Sequence, residues 1–330
     1  MCFKPGTRRK ADVTMTMTMT LAEVTKALRV AAAAAVAGLA LAQPAAAQVR
    51  VVATTEDLAS LTQEVGGDRV RVTPLARGYQ DPHFVDPKPS FILELNRADL
   101  LVLVGRDLEL GWLPALISSA RNARVQVGAA GYLDASANVT ILEIPTGQIT
   151  RAMGDVHPQG NPHYWLDPAN GRVMAQSIRN RLSQLAPADR AYFESRYAAF
   201  DARLTEAERR WEAQMAPFKG RKLVTYHRSW PNLMARFGLE VIGYVEPKPG
   251  IPPSPSHTIA LIGEMKAQGV RVIVVEPYFE KRTPQSIANQ VGGTVVELAP
   301  SVGGTREATD YITLFDYNVA RLVAAFSQAP

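Results

Sequence analysis

The sequence predicts an α/β protein of two lobes, each a mostly parallel sheet flanked by helices, joined by one long connector helix. Three observations carry this expectation. Short β-branched runs alternate with amphipathic stretches from residue 49 onward, the alternation occurs twice, and between the two halves one apolar periodicity persists for about 30 residues.

In chain order the first segment reads as a leader. Lys26 and Arg29 precede an apolar run over 30–41, and Ala45, Ala46 and Ala47 supply the small residues of a cleavage site, which is the order of a secretory signal peptide over 1–47. The run, about 12 residues, is shorter than the roughly 20 that cross a bilayer as a helix. The expected product is a periplasmic protein freed by cleavage. The Met-Thr repeat at Met15, Met17 and Met19 reads as an over-long start. The single cysteine, Cys2, lies upstream of the apolar run, and none follows it to accept a lipid or to pair.

Charge points the same way. Of 36 basic and 31 acidic residues, six and two lie in the first 47, which leaves 30 against 29. The net charge of +5 therefore belongs mostly to the leader. Without it the chain is near neutral and carries no electrostatic footprint for nucleic acid.

Strands are expected at 50–54, 69–75, 100–104 and 124–127, with helices at 58–65 and 89–98, giving a first lobe over 48–186. Phe193, Tyr197, Phe200, Leu204, Trp211 and Met215 recur at spacings of three, four and seven and predict the connector over 187–218. At the usual rise it would run about 45 Å. The second lobe, 219–330, is expected to hold strands at 222–226, 240–244, 270–275 and 294–298 and helices at 231–237, 258–268 and 284–291. Residues 139–160, polar and containing three glycines, read as a mobile loop.

Five histidines follow the leader: His83, His157, His163, His227 and His257. Three sit beside expected strand ends, in Asp81-Pro82-His83, in Asn161-Pro162-His163 and directly after Tyr226. Ligands of open α/β sheets bind outside the carboxyl ends of strands. Neutral imidazole is a common ligand of Zn²⁺, and three of them with a carboxylate or water complete a tetrahedral shell. None of the three has a short-range ligand spacing such as H-x-x-x-H; their surroundings are what single them out.

Those surroundings resemble the metal-binding substrate-binding proteins of bacterial zinc and manganese ABC transporters, the cluster that includes adhesin-like lipoproteins. The resemblance spans nearly all of the chain after the leader. It rests on Asp81-Pro82-His83 with Pro89-Ser90, on Asn161-Pro162-His163-Tyr164-Trp165-Leu166-Asp167-Pro168, on Tyr226-His227, and on Glu246-Pro247 leading into Gly250-Ile251-Pro252-Pro253-Ser254-Pro255. It implies two α/β lobes on a backbone helix, metal ligands His83 and His163 from the first lobe and His227 from the second, and an inner-membrane ABC permease as partner of a monomer. The family's usual fourth ligand is an Asp after the last strand, where this chain has Ala299-Pro300. Three candidates stand for that position: Glu276, placed first, then Glu297, then a bound water. A nitrogen-rich shell suits zinc better than manganese and also admits Cu²⁺ or Ni²⁺.

The other candidates have smaller roles. His157 reads as a solvated loop residue or a capture point for metal, and His257 as an N-terminal helical residue. Asp167 and Glu246 either orient ligands or brace turns. Trp165 and Trp230 would dry the site, while Trp211 belongs to the connector core. Two further functions compete with metal carriage: a zinc hydrolase with an open fourth position, which lacks H-E-x-x-H and G-x-S-x-G, and a binder of an organic solute or metal chelate, suggested by Arg228. No enzymatic activity is expected.

Overall fold

The computed structural model describes residues 1–2, 26, 48–147, 150, 153–154 and 156–328. The expected leader, 1–47, lies outside the described residues apart from 1, 2 and 26. So do 148–149, 151–152 and 155 of the expected loop. No helix among the described residues is long and apolar enough to cross a membrane.

Residues 48–328 form two sheets of one topology. In the first, β1 (Val49–Ala53), β2 (Val70–Pro74), β3 (Leu100–Leu103) and β4 (Tyr132–Asp134) are ordered β2-β1-β3-β4. In the second, β5 (Lys222–Thr225), β6 (Glu240–Tyr244), β7 (Val272–Val275) and β8 (Thr294–Glu297) are ordered β6-β5-β7-β8. Every pairing is parallel. Parallel strands need crossovers, supplied in the first lobe by α1 (Glu56–Gly66), α2 (Pro89–Arg97) and α3 (Leu113–Ala120). In the second they are α6 (Pro231–Arg236), α7 (Pro255–Gln268) and α8 (Arg282–Val291).

Alternation along the strands explains their apolar sequences. Val51 and Ala53 of β1, Leu100 and Val102 of β3, Leu223 of β5 and Val272 and Val274 of β7 face one core. Val52, Leu101 and Leu103 face an outer core under α2 and α3, and Val224, Ile273 and Val275 face another under α7 and α8. Strands buried on both faces are apolar throughout. The first core is continuous across both lobes and includes α4 (Pro168–Leu185), α5 (Arg190–Met215) and α9 (Tyr311–Gln328).

The connector is α5, 26 residues, with a single 3₁₀ turn at each end, Pro187–Asp189 and Ala216–Phe218. It buries Phe193, Phe200, Leu204, Trp211 and Met215 on one stripe. Glu208 on that stripe accepts from Arg172 of α4 and Arg236 of α6, both at 2.7 Å, so it joins the connector to both lobes.

One expected strand is overturned. Residues 124–127 hold a 3₁₀ turn at Ala123–Val125, and the edge strand forms later, at β4. Asn122 decides this: its Oδ1 accepts from Arg124 N–H at 3.1 Å and its Nδ2 donates to the Leu95 and Ala98 carbonyls. Val125 is buried by that turn, which accounts for its apolar character without a ladder. Helices α3, α4 and α9 were not anticipated, although α9 carries buried residues at Tyr311, Leu314, Phe315, Asn318, Val319 and Leu322, a plain helical period.

Candidate metal centre

The carboxyl ends of both sheets face the same region, and three loops bring histidines to it. Past β2 the chain continues alongside β1, Leu75 N donating to Ala53 O at 2.9 Å, before turning at Asp81-Pro82-His83. Trp112 Nε1 pins that turn through the Pro82 carbonyl at 3.0 Å. His163 precedes the 3₁₀ turn Tyr164–Leu166, whose Tyr164 hydroxyl donates to Val104 O at the end of β3. His227 lies two residues beyond β5, and Glu246 two residues beyond β6.

Each ring is held through Nδ1. In Asp81-Pro82-His83 the Asp81 Oδ1 accepts from the His83 backbone N–H at 3.0 Å and faces His83 Nδ1 at 2.7 Å. In Asn161-Pro162-His163 the Asn161 Oδ1 does the same, at 2.9 and 3.0 Å. These are Asx turns, with proline pre-setting the backbone between the capping side chain and the ring. His227 Nδ1 faces Glu246 Oε2 at 2.8 Å.

The partners dictate the tautomer. A carboxylate only accepts, so Nδ1 of His83 and of His227 carries the proton. Asn161 donates its Nδ2 to Glu143 Oε2 and to the Arg228 carbonyl, both acceptors, which leaves Oδ1 to accept from His163 Nδ1–H. Nε2 is then the lone-pair nitrogen of all three rings. The ring centroids are 5.1, 5.5 and 5.6 Å apart, and one ligand atom from each of His83, His163 and His227 lies within 4.8 Å of the others. His163 Nε2 is buried without a hydrogen-bond partner.

Burial, reinforced by the charges of His83, His227 and His157, pushes His163 well below the usual imidazole range. Burial also disfavours a charged His227. There the hydrogen bond to Glu246 and the charges of Glu276, Glu246 and Asp81 outweigh it, and its pKa is raised. The Trp165 ring stands 5.2 Å from His163 and excludes water from that side, while Trp230 is buried in the shared core. A cavity of about 320 Å³ opens beside the rings, lined by Glu143, Met153, His157, His163, His227 and Arg228 among others.

The remaining candidates fall in different places. Glu276 stands outside the three-histidine group: Oε1 accepts from Ser229 Oγ at 2.6 Å, Oε2 is buried unpartnered, and burial pushes the acid up to about 7. Glu297 pairs with Lys281 on the far side of β8. Asp167 caps α4 through Ala169 N–H rather than orienting a ring. Arg228 covers the Tyr244 ring at 4.4 Å and reaches Glu143 at 3.5 Å, so it is engaged rather than poised for an anion. His257 is in the first turn of α7, its N–H on Ser254 Oγ.

Sequence reasoning missed two features. Asp81 and Asn161 were quoted as parts of motifs without a role, although Asx-Pro-His occurring twice was the available signal. His157 is not a solvated loop residue: its Nε2 is 3.2 Å from His83 Nε2, and burial together with the charges of His83 and His227 pushes its pKa down to about 4.

Known proteins resemble this chain in sequence and in fold. The profile of the family described as ZnuA, zinc-uptake complex component A, periplasmic, matches residues 51–325. The zinc-binding lipoprotein AdcA of Streptococcus pneumoniae is 24% identical over 286 residues, 83% of this chain and 55% of AdcA, so the chain spans about half the length of that relative. The manganese ABC transporter substrate-binding lipoprotein PsaA of Streptococcus pneumoniae is 24% identical over 248 residues, 73% of this chain and 76% of PsaA. Among solved structures, a ZnuA crystal structure superposes with a TM-score of 0.70 at 25% identity, covering 84% of this chain and 99% of that one. The SBP FpvC from Pseudomonas aeruginosa, in complex with Mn²⁺, superposes with a TM-score of 0.73 at 25% identity, covering 86% and 100%. By the length of the profile match and the agreement in fold, the chain belongs to the zinc-uptake complex component A family of extracytoplasmic metal-binding proteins.

Proposed function

We propose that the protein captures a divalent metal ion, zinc rather than manganese, on His83, His163 and His227 and delivers it to an ABC permease. The observation that supports this most is the engagement of all three Nδ1 atoms by Asp81, Asn161 and Glu246, which leaves Nε2 as the lone-pair nitrogen of three rings whose ligand atoms lie within 4.8 Å of one another, that of His163 buried without a partner. Lone pairs gathered in this way repel one another unless a cation or proton sits among them, and orphaned buried acceptors are costly. Imidazole nitrogen suits zinc, whereas manganese favours oxygen-rich shells. Glu276 acts behind His227, its buried acid helping to hold that ring's pKa up.

A hydrolase would need a base within reach of metal-bound water. Asp81 and Glu246 both lie on the Nδ1 side of their rings, away from Nε2. Calorimetric titration of chelator-stripped protein tests the reading. Wild type is expected to bind Zn²⁺ at one site and each of His83→Ala, His163→Ala and His227→Ala to lose it; retention in all three sinks the site.

The curated relatives AdcA and PsaA are named lipoproteins, whereas the one cysteine of this chain is Cys2. The proposed form is a periplasmic protein released by cleavage near Ala47. Cell fractionation with N-terminal sequencing is expected to recover it in the soluble periplasmic fraction; recovery with the membranes would refute release.

A further inference from the structure

His157 approaches the three-histidine group from the cavity side, and its Nε2 is 3.2 Å from that of His83. Two nitrogens bound at about 2.0–2.1 Å to one tetrahedral zinc stand about 3.3–3.4 Å apart, so the observed separation is that of two ligands of a single ion as well as that of a hydrogen bond. With His83 Nδ1–H given to Asp81, His83 Nε2 can only accept. The His157 ring gives its one N–H to the Arg106 backbone carbonyl, so it has none left for His83, and the two Nε2 lone pairs face each other across 3.2 Å as two ligands of one ion would.

The segment carrying His157 is braced on both lobes. Its ring also hydrogen-bonds the Arg106 backbone, in a loop where Gly105, Arg106 and Asp107 all have positive φ, and the Arg106 guanidinium reaches the Gln159 carbonyl at 3.4 Å. On the other side Gly154, at φ 76°, lies so close to the Pro249 carbonyl that a Cβ there would come within 2.3 Å of it. Only glycine passes there, which lets Gly154 lie this close to the second lobe at the mouth of the cavity.

We propose that His157 is the fourth metal ligand, closing an all-imidazole shell in the position left by Ala299-Pro300. This inference rests on the three-histidine reading above and goes one step past it. Its consequence is selectivity: four neutral nitrogens and no carboxylate favour zinc over manganese more strongly than three nitrogens with a carboxylate would.

The test uses chelator-stripped full chain, wild type, His157→Ala and His163→Ala, titrated with Zn²⁺ and Mn²⁺, with zinc X-ray absorption counting imidazole ligands. The expected result is four imidazoles in wild type and three in His157→Ala. Zinc affinity in that variant should fall by at least the ~10–100-fold that loss of an outer partner costs, and the preference for zinc over manganese should narrow. Unchanged affinity and ligand count in His157→Ala, with binding lost in His163→Ala, overturns the fourth-ligand role and leaves the three-histidine site standing. Weaker binding with an unchanged ligand count also overturns it, since His157 would then only position His83. Absence of zinc binding in wild type overturns both readings.

Discussion

At Glu246 one carboxylate governs both the orientation and the protonation of His227. It takes Nδ1–H at 2.8 Å and raises the ring's pKa against the opposing effect of burial. A raised pKa means that His227 keeps a proton to higher pH than a free imidazole, and an entering metal must displace it. Zinc affinity is therefore expected to rise as pH rises through that pKa and to fall below it. Glu246→Gln keeps an acceptor but removes the charge, so the midpoint of affinity against pH should move down while the plateau affinity drops about 10–100-fold. Calorimetry between pH 5 and about 8, the window in which imidazoles titrate, reads both; an unmoved midpoint would show that Glu246 does not set the ring's charge. His83 and His163 were legible in the sequence because each ends an Asx-Pro-His string, and His227 because it directly follows an expected strand. The place of His157 was not, because its contact with His83 spans 74 residues.

Among the elements, the junction of α4 and α9 holds the His163 turn in place. The Tyr311 hydroxyl donates to the Trp165 carbonyl at 2.5 Å and lies near the Asp167 carbonyl at 3.2 Å, while Trp165 Nε1 donates to Pro300 O. Gly171 makes room for that ring, since a Cβ would lie 2.3 Å from Tyr311. Alanine normally improves a helix interior by about 1 kcal/mol over glycine. Here overpacking against a fully buried, hydrogen-bonded ring should cost about 1–3 kcal/mol and win. Gly171→Ala is expected to lower the urea midpoint and weaken zinc binding together; a more stable variant would show that Tyr311 yields freely. The connector was readable because its stripe repeats over about six turns, whereas α4 was not, its buried face being interrupted by Asn170, Gly171 and Ser183. The misplaced edge strand has the opposite cause. A local apolar pair, Val125 and Val127, imitated a strand, and only the side-chain bonds of Asn122 to distant carbonyls exclude it.

Across the whole molecule the two lobes repeat one strand order around a shared core; two mostly parallel sheets followed from the alternation of periods in the chain, whereas their common order and shared core are visible only in the fold. Their binding loops do not repeat. The first lobe fixes its rings with Asx turns, each contained within three residues. The second fixes its ring from a neighbouring strand, and the reason lies in strand pairing. β1 and β2 run in unbroken register from Val49↔Val70 to Ala53↔Pro74. β5 and β6 slip between Leu223↔Val241 and Val224↔Gly243, so that Ile242 has no partner. That extra residue advances β6 by one and puts Glu246, rather than Val245, level with His227. Side chains alternate faces along a strand, so unbroken pairing would set an apolar valine opposite the imidazole and turn the acid to the other side of the sheet. The proton on His227 is thus placed by a counting irregularity in a strand that contributes no metal ligand, and a chain with the same histidines but even pairing would present a ring with no fixed tautomer.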